Sequence, residues 1–191
     1  MFPVNGLAKL DSMDPVPKNA APVDLATLEE IRQVKYRYLR CVDLKLWDEL
    51  AAVFTPDATV DYGTQVYGKP LKLDGRDAIV GFLRKNLGPT MITVHRAGQP
   101  EITVDGDTAE GIWSFEDTVI ATEFKVVIAG AAFYRDRYER GADGRWRIAH
   151  TGYTRTYESK MSLDDLPSFR ITARLGETRD QKVQSADAAA E

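Results

Sequence analysis

Residues 101–157 read EITVDGDTAEGIWSFEDTVIATEFKVVIAGAAFYRDRYERGADGRWRIAHTGYTRTY, and this stretch decides the fold. Glu101-Ile-Thr-Val alternates up to Asp105-Gly106-Asp107, which carries a turn signature. Ala109 to Thr122, Val126 to Arg140 and Trp146 to Tyr157 read as three longer strands, the last two joined by a turn over Gly141 to Gly144. Just upstream, Ile92 and Val94 open a short strand that leads to Pro100. Alternation sets Arg147, Ala149, Thr151, Tyr153 and Arg155 on one face of the last strand, and Ile148, His150, Gly152 and Thr154 on the other. His150 and Arg155 then cannot enter one pocket unless a bulge intervenes. Asp117 shares the face of Trp113 and Phe115, a patch suited to lining an apolar cavity.

Toward the N-terminus the apolar period lengthens from two to three or four. Thr27 and Glu30 form a T-x-x-E capping box, which predicts a helix opening at Thr27. Leu28, Ile31, Val34, Tyr38 and Cys41 then form an apolar stripe, with Glu29, Arg32, Gln33, Arg37 and Arg40 on the other side. A second helix is expected from Leu46 to Phe54, before Pro56, and a third between Asp74 and Gly88-Pro89, with Ile79, Phe82, Leu83 and Leu87 at helical spacing. Helices first and antiparallel strands afterwards is the α+β pattern. A sheet curled around a pocket and closed by the helices buries both sets. Residues 1–23 hold Pro3, Pro15, Pro17 and Pro22 and read as an irregular arm; residues 176–191, polar and Ala-rich, read as a flexible tail. Residues 24–175 form the compact unit between them.

The chain has 191 residues, 43% hydrophobic and 28% charged, which suits one globular domain. Its 25 Lys+Arg against 29 Asp+Glu argue against a nucleic-acid partner, which selects for a basic excess. No apolar run approaches the roughly 20 residues of a membrane span, and the first residues lack the basic-then-apolar order of a signal peptide, so a cytoplasmic, reducing location is expected. The single Cys41 leaves no partner for an internal disulfide, and His95 and His150 alone cannot make a three-histidine metal site. No metal and no cofactor is expected. Chemistry here runs on carboxylates, tyrosines, arginines and at most two imidazoles.

His95 ends a short apolar strand. It reads either as a hydrogen-bonded strand-end residue or as a base, since imidazole is the best proton carrier near neutral pH. Asp43 reads either as a carboxylate facing a pocket or as a cap between two helices. Tyr38 lies on the apolar stripe, where the plainer reading is a core aromatic with a bonded hydroxyl. Five residues separate Tyr38 from Asp43, about 140° round a helix, so both reach one cavity only if the helix ends or bends near Cys41. Arg155 stands in an apolar strand and needs a carboxylate or an anionic ligand, because an unpaired buried guanidinium is costly.

Taken together, Tyr38-Leu-Arg-Cys-Val-Asp43-Leu-Lys-Leu-Trp47-Asp-Glu-Leu, Val94-His95 with Pro100-Glu-Ile-Thr, Gly111-Ile-Trp113 with Glu116-Asp117, and Ala132-Phe-Tyr134-Arg-Asp-Arg-Tyr138 resemble the SnoaL-like branch of the NTF2-like superfamily. Within that branch the chain resembles the bacterial bile acid 7α-dehydratases, with these motifs in the same order and at near-identical spacing from about residue 25 to about residue 175. The resemblance implies a cone, with a strongly curved mixed sheet wrapped by N-terminal helices around a central site. It also implies cofactor-independent lyase chemistry and a homotrimer. Tyr38, Asp43, His95 and Arg155 match the catalytic residues; Tyr62, Trp113 and Asp117 match residues of the substrate pocket. Asp43 and His95 also resemble the Asp–His pair of the dehydrochlorinase and scytalone dehydratase branches. One departure stands out: Gly98, followed by Gln99, occupies the place of a second histidine in the dehydratases.

The expected function is a dehydratase acting on a hydrophobic small molecule, steroid-like and carrying a hydroxyl and a carbonyl. Asp43 would support the imidazolium of His95 while the other ring nitrogen takes a proton. Tyr38, with an ordinary phenol pKa near 10, would donate to the developing enolate or the departing hydroxyl. Arg155 would hold Asp43, Asp117 or an anionic group of the substrate. The same residues would also serve a ketosteroid-type isomerase or polyketide cyclase, and the fold also serves non-catalytic ligand binding.

Overall fold

The computed structural model describes residues 24–64 and 71–175. The expected arm over residues 1–23 and tail over residues 176–191 lie outside the described residues. Three helices precede most of a six-stranded sheet, so the α+β expectation holds. Helix α1 spans Leu25–Leu44, α2 Trp47–Val53 and α3 Arg76–Asn86. The strands are β1 Phe54–Tyr62, β2 Leu71–Asp74, β3 Met91–Asp105, β4 Thr108–Ala121, β5 Val126–Arg140 and β6 Trp146–Ser162. Their order is β2-β1-β6-β5-β4-β3. Every neighbouring pair is antiparallel except β1 and β6, which makes the sheet mixed.

Helix α1 opens two residues earlier than the capping box predicts. Asp24 takes the N-cap position with extended backbone and no side-chain cap, so Thr27 sits inside the first turn and the box is not used. The apolar stripe is otherwise as read: Ile31, Val34, Tyr38 and Cys41 are buried against the sheet. Among them lies Lys35, wholly buried, which the polar-versus-apolar pattern does not anticipate.

Two strands were not legible. β1 contains Pro56, Asp57 and Asp61, poor strand formers, yet it pairs with both β2 and β6. Pro56 is tolerated because its missing donor falls where the β1–β6 register shifts, between Phe54 and Thr59. Conversely, Pro100 does not end a strand. β3 runs continuously through a bulge between Gly98 and Glu101, where Gln99 adopts φ 50°. The bulge leaves Gly98 opposite Ser114, on the face away from His95. The departure at Gly98 therefore does not alter the wall beside the imidazole.

Candidate active site

Cross-strand register arranges the concave face in rows, and the rows organise the chemistry. The first row is His95, Asp117, Gly130 and Glu158 across β3, β4, β5 and β6; the next is Ala97, Phe115, Ala132 and Arg155. Behind these stand Trp113, Tyr134, Tyr153 and Tyr62, and deeper still Gly111, Asp136, Thr151 and Val60. Helix α1 crosses the rows, bringing Lys35 to the deepest, Tyr38 to the aromatic row and Asp43 to the first.

Asp43 and His95 form a tight pair. His95 Nδ1 lies 2.6 Å from Asp43 Oδ1 and donates to it, while the His95 main-chain N–H donates to Oδ2 at 2.9 Å. Thr93, two residues up the same strand face, adds a third hydrogen bond to Oδ1 at 2.9 Å. With Nδ1 and the backbone both committed, the imidazole is fixed in the tautomer that presents Nε2 as an acceptor. Its ring lies nearly parallel to Phe115, 5.8 Å between centroids and 8° between planes. Helix α1 need not end or bend near Cys41 for this contact: it continues to Leu44, and the curved sheet wraps far enough round it to meet both Tyr38 and Asp43.

Arg155 has its carboxylate. It makes two hydrogen bonds to Asp117, at 2.5 and 2.9 Å, and its Nε stands 3.2 Å from Glu158 as a charge pair without a hydrogen bond, while Glu158 accepts from Thr64 at 3.0 Å. Burial opposes the guanidinium charge, but hydrogen bonding to Asp117 and the adjoining Tyr153 and Glu158 outweigh it, so the pKa rises above its ordinary value. Arg155 crosses from β6 to β4 over Gly130, where a side chain would occupy its path. Asp43 is not its partner; the His–Asp and Arg–Asp pairs are separate and stand side by side, since His95 and Asp117 are directly opposed.

The Tyr38 and Tyr62 hydroxyls are 2.9 Å apart and share a hydrogen bond. Burial pushes both phenols well above their ordinary pKa, so the expectation of an ordinary value for Tyr38 is corrected: it is held protonated, a donor rather than a base. Tyr153 stacks on Tyr62 at 5.5 Å, and burial pushes it up to about 12. Phe115 packs against Tyr134 at 4.5 Å and Tyr153 at 5.5 Å, so these rings fill the interior between the three polar pairs. Trp113 is more remote than expected. It is wholly buried and donates to Tyr138 at 3.1 Å, supporting the deep end, and Phe115 takes the place beside the imidazole.

His150 stands apart, as strand parity implies. Its Nδ1 shares a hydrogen bond with Thr59 at 2.7 Å, and burial together with Arg137 lowers its pKa. The bulge at Ala149 precedes His150, so it leaves the parity between His150 and Arg155 intact. Sequence reasoning placed Phe115 in the apolar patch with Trp113 and Asp117 but passed over Thr93, Tyr153 and Glu158 as site residues, although the two-residue period already puts Thr93 on the face of His95 and Tyr153 on that of Arg155. It also missed the deepest group, where Asp136 receives Lys35 at 2.8 Å, Tyr138 at 2.7 Å and Thr151 at 2.6 Å. Two surface hollows, of about 730 and 310 Å³, lie elsewhere: one against Glu29, Arg37 and Trp146, the other against Thr55, Arg76 and Arg140. Among the described residues, no three His, Cys, Asp or Glu side chains group as a metal site would need, and no helix is long and apolar enough to cross a membrane.

A helix-wrapped cone with a His–Asp pair on its concave face defines the class. This chain belongs to the SnoaL-like domain family, whose match covers residues 23–152. An uncharacterised protein of Mycobacterium tuberculosis is 34% identical over 134 residues, covering 69% of this chain and 87% of its own length. Among solved structures, a hexachlorocyclohexane dehydrochlorinase, LinA-type3 of Novosphingobium barchaimii, superposes with a TM-score of 0.64 at 20% identity over 78% of this chain and 97% of its own. A Novosphingobium aromaticivorans protein provisionally assigned as a scytalone dehydratase gives a TM-score of 0.62 at 20% identity, over 81% and 97%. At that identity these two attest the shared NTF2-like fold.

Proposed function

We propose that this chain is a dehydratase, a lyase that eliminates water from a hydrophobic, steroid-like hydroxylated carbonyl compound, bile-acid derivatives included. The observation that carries the reading is the 2.6 Å contact between His95 Nδ1 and Asp43, which orients Nε2 as a proton acceptor. Nε2 takes the proton from the carbon beside the carbonyl. The electron pair left behind moves onto the carbonyl oxygen, and Asp43 supports the imidazolium without becoming protonated. Tyr38, held protonated and hydrogen-bonded to Tyr62, donates to that oxygen as its charge grows. As the enolate collapses, the C–O bond breaks and the imidazolium returns its proton to the departing hydroxyl, giving an alkene conjugated to the carbonyl, one water and the free enzyme. Arg155, already neutralised by Asp117, holds the wall of the site rather than a substrate anion. Tyr153, the partly exposed ring of its group, gives an apolar body something to pack against, with Phe115 and Tyr134 buried behind it. The elimination catalysed by the dehydrochlorinase relative is of the same kind, with chloride in place of hydroxide.

Incubation with a panel of hydroxylated 3-oxo steroids, read by mass spectrometry, tests the proposal. The product is expected to be lighter by one water, and His95→Ala and Asp43→Ala each to lower the rate on the order of 10²–10⁴-fold with unchanged circular dichroism. A product of unchanged mass converts the reading to an isomerase. Full activity in either variant removes the mechanism.

A further inference from the structure

Behind the His–Asp pair is a cation that the proposed chemistry does not use. Lys45 follows the last residue of α1 and caps the helix in the left-handed conformation, φ 61° and ψ 33°. Glycine is the usual residue there, since a Cβ is strained in that conformation. A lysine near a helix C-terminus is commonly explained by the helix dipole, with its amine in solvent or on the last carbonyls. That explanation does not fit here. The Lys45 backbone N–H does the capping, to Cys41 and Val42, while the side chain turns inward and its Nζ donates to Thr93 Oγ1 at 2.9 Å.

Thr93 is the link to the site. Its hydroxyl accepts from Lys45 and donates to Asp43 Oδ1 at 2.9 Å, the same oxygen that receives His95 Nδ1. A hydroxyl has one proton to give, so the Lys45 donation leaves Thr93 only one useful orientation, toward Asp43. The chain Lys45–Thr93–Asp43–His95 thus has a fixed direction.

The geometry points to Lys45 as a positioning residue of the site: acting through Thr93, its ammonium group fixes the Asp43 carboxylate on His95, and the hold weakens when the amine loses its proton. This assignment rests on the dehydratase reading for its consequence in catalysis, but the hydrogen-bond chain itself can be tested without a substrate. The groups that face the Lys45 amine are Asp43 from α1, Thr93 from β3, and Arg174 from the segment after β6. Burial lowers the Lys45 pKa to about 8, Asp43 working against the shift and Arg174 with it. Below that pH the amine is charged and the chain is complete; above it, the attraction for Asp43 is lost.

Two histidines make the test clean. In protein labelled with ¹³C and ¹⁵N at histidine, the rings of His95 and His150 give two resolvable sets of signals, and His150, bonded to Thr59, serves as the internal control. On titration from pH 6 to 10, the His95 signals are expected to show a step near pH 8 in addition to the protonation of the ring itself, with no such step at His150. In Lys45→Arg, whose charge persists through this range, the added step disappears, while the Nδ1–H signal bonded to Asp43 and kcat stay within about threefold of the parent. Lys45→Met also abolishes the step, and lowers kcat about tenfold with KM little changed. Thr93→Val, which cuts the link and leaves the charge, lowers kcat to the same degree. A step that survives in Lys45→Arg, or a Lys45→Met spectrum in which both histidines move alike, overturns the assignment. If the parent protein yields no dehydrated product, the catalytic reading fails, and the step near pH 8 still decides whether Lys45 holds Asp43.

Discussion

A methyl group at position 130 has nowhere to go. An ideal Cβ there would lie 2.8 Å from Arg155 Nη1 and 2.7 Å from the Tyr157 carbonyl oxygen, and the carbonyl belongs to a paired strand that cannot retreat. Gly130 is therefore needed for the path it leaves open between Arg155 and Asp117. Gly130→Ala is expected to destabilise the fold by about 1–3 kcal/mol, as overpacking does. It should also displace the guanidinium from Asp117, leaving a buried carboxylate next to His95. Urea unfolding reads the first effect. The second is read by activity at pH 7, which should fall well beyond what the lost stability accounts for. An alanine variant as stable and active as the parent would mean that Arg155 has another way across.

At the scale of elements, the N-terminus of α1 separates a motif from its use. The Thr27–Glu30 pair has the spacing of a capping box, but the helix begins two residues before Thr27 and the cap falls to Asp24. Thr27→Ala is thus expected to change stability by no more than about 0.5 kcal/mol, where removing a working cap costs about 1 kcal/mol. Thermal unfolding distinguishes the two outcomes. The long strands were legible because each carries its own alternation over a dozen or more residues, and His150 could be set aside by parity alone. β1 was not legible, because Pro56, Asp57 and Asp61 hide a strand whose pairing is decided by β2 and β6. Of the site, the motif residues Tyr38, Asp43, His95, Asp117 and Arg155 could be named in advance. Which carboxylate met which cation could not: Asp43 and His95 are 52 residues apart, Asp117 and Arg155 are 38 apart, and only the register of β3 on β4 makes neighbours of the two pairs. Lys35 illustrates the deeper limit. A lysine on an apolar stripe reads as an interruption until Asp136, on the fifth strand, is brought beneath it.

That buried pair and the tyrosines above it set the response of the whole molecule to alkali, and their signs differ. Burial lowers the Lys35 pKa from its ordinary 10.5 to about 8, with Asp136 opposing the shift. Between those values the unfolded chain binds a proton that the folded protein does not, so stability rises with pH across roughly 8 to 10.5. Lys45, lowered to about 8 but partly exposed, contributes weakly in the same direction. Burial raises Tyr38, Tyr62, Tyr134 and Tyr138 well above 10, the ordinary value. Once the pH passes 10 the unfolded chain sheds phenol protons that the folded one keeps, and each such group removes up to about 1.4 kcal/mol per pH unit. Several phenols outweigh two amines. The urea midpoint is therefore expected to climb gently above pH 8, reach its maximum between about 9 and 10, and fall steeply beyond. Replacing the buried pair together, Lys35→Met with Asp136→Leu, should flatten the climb and leave the fall, because it removes the amine and keeps the phenols. A midpoint that declines steadily from pH 8 in the parent would show that Lys35 keeps its proton throughout, and that Asp136 and the face of Tyr134, 3.2 Å from the amine, compensate its burial in full.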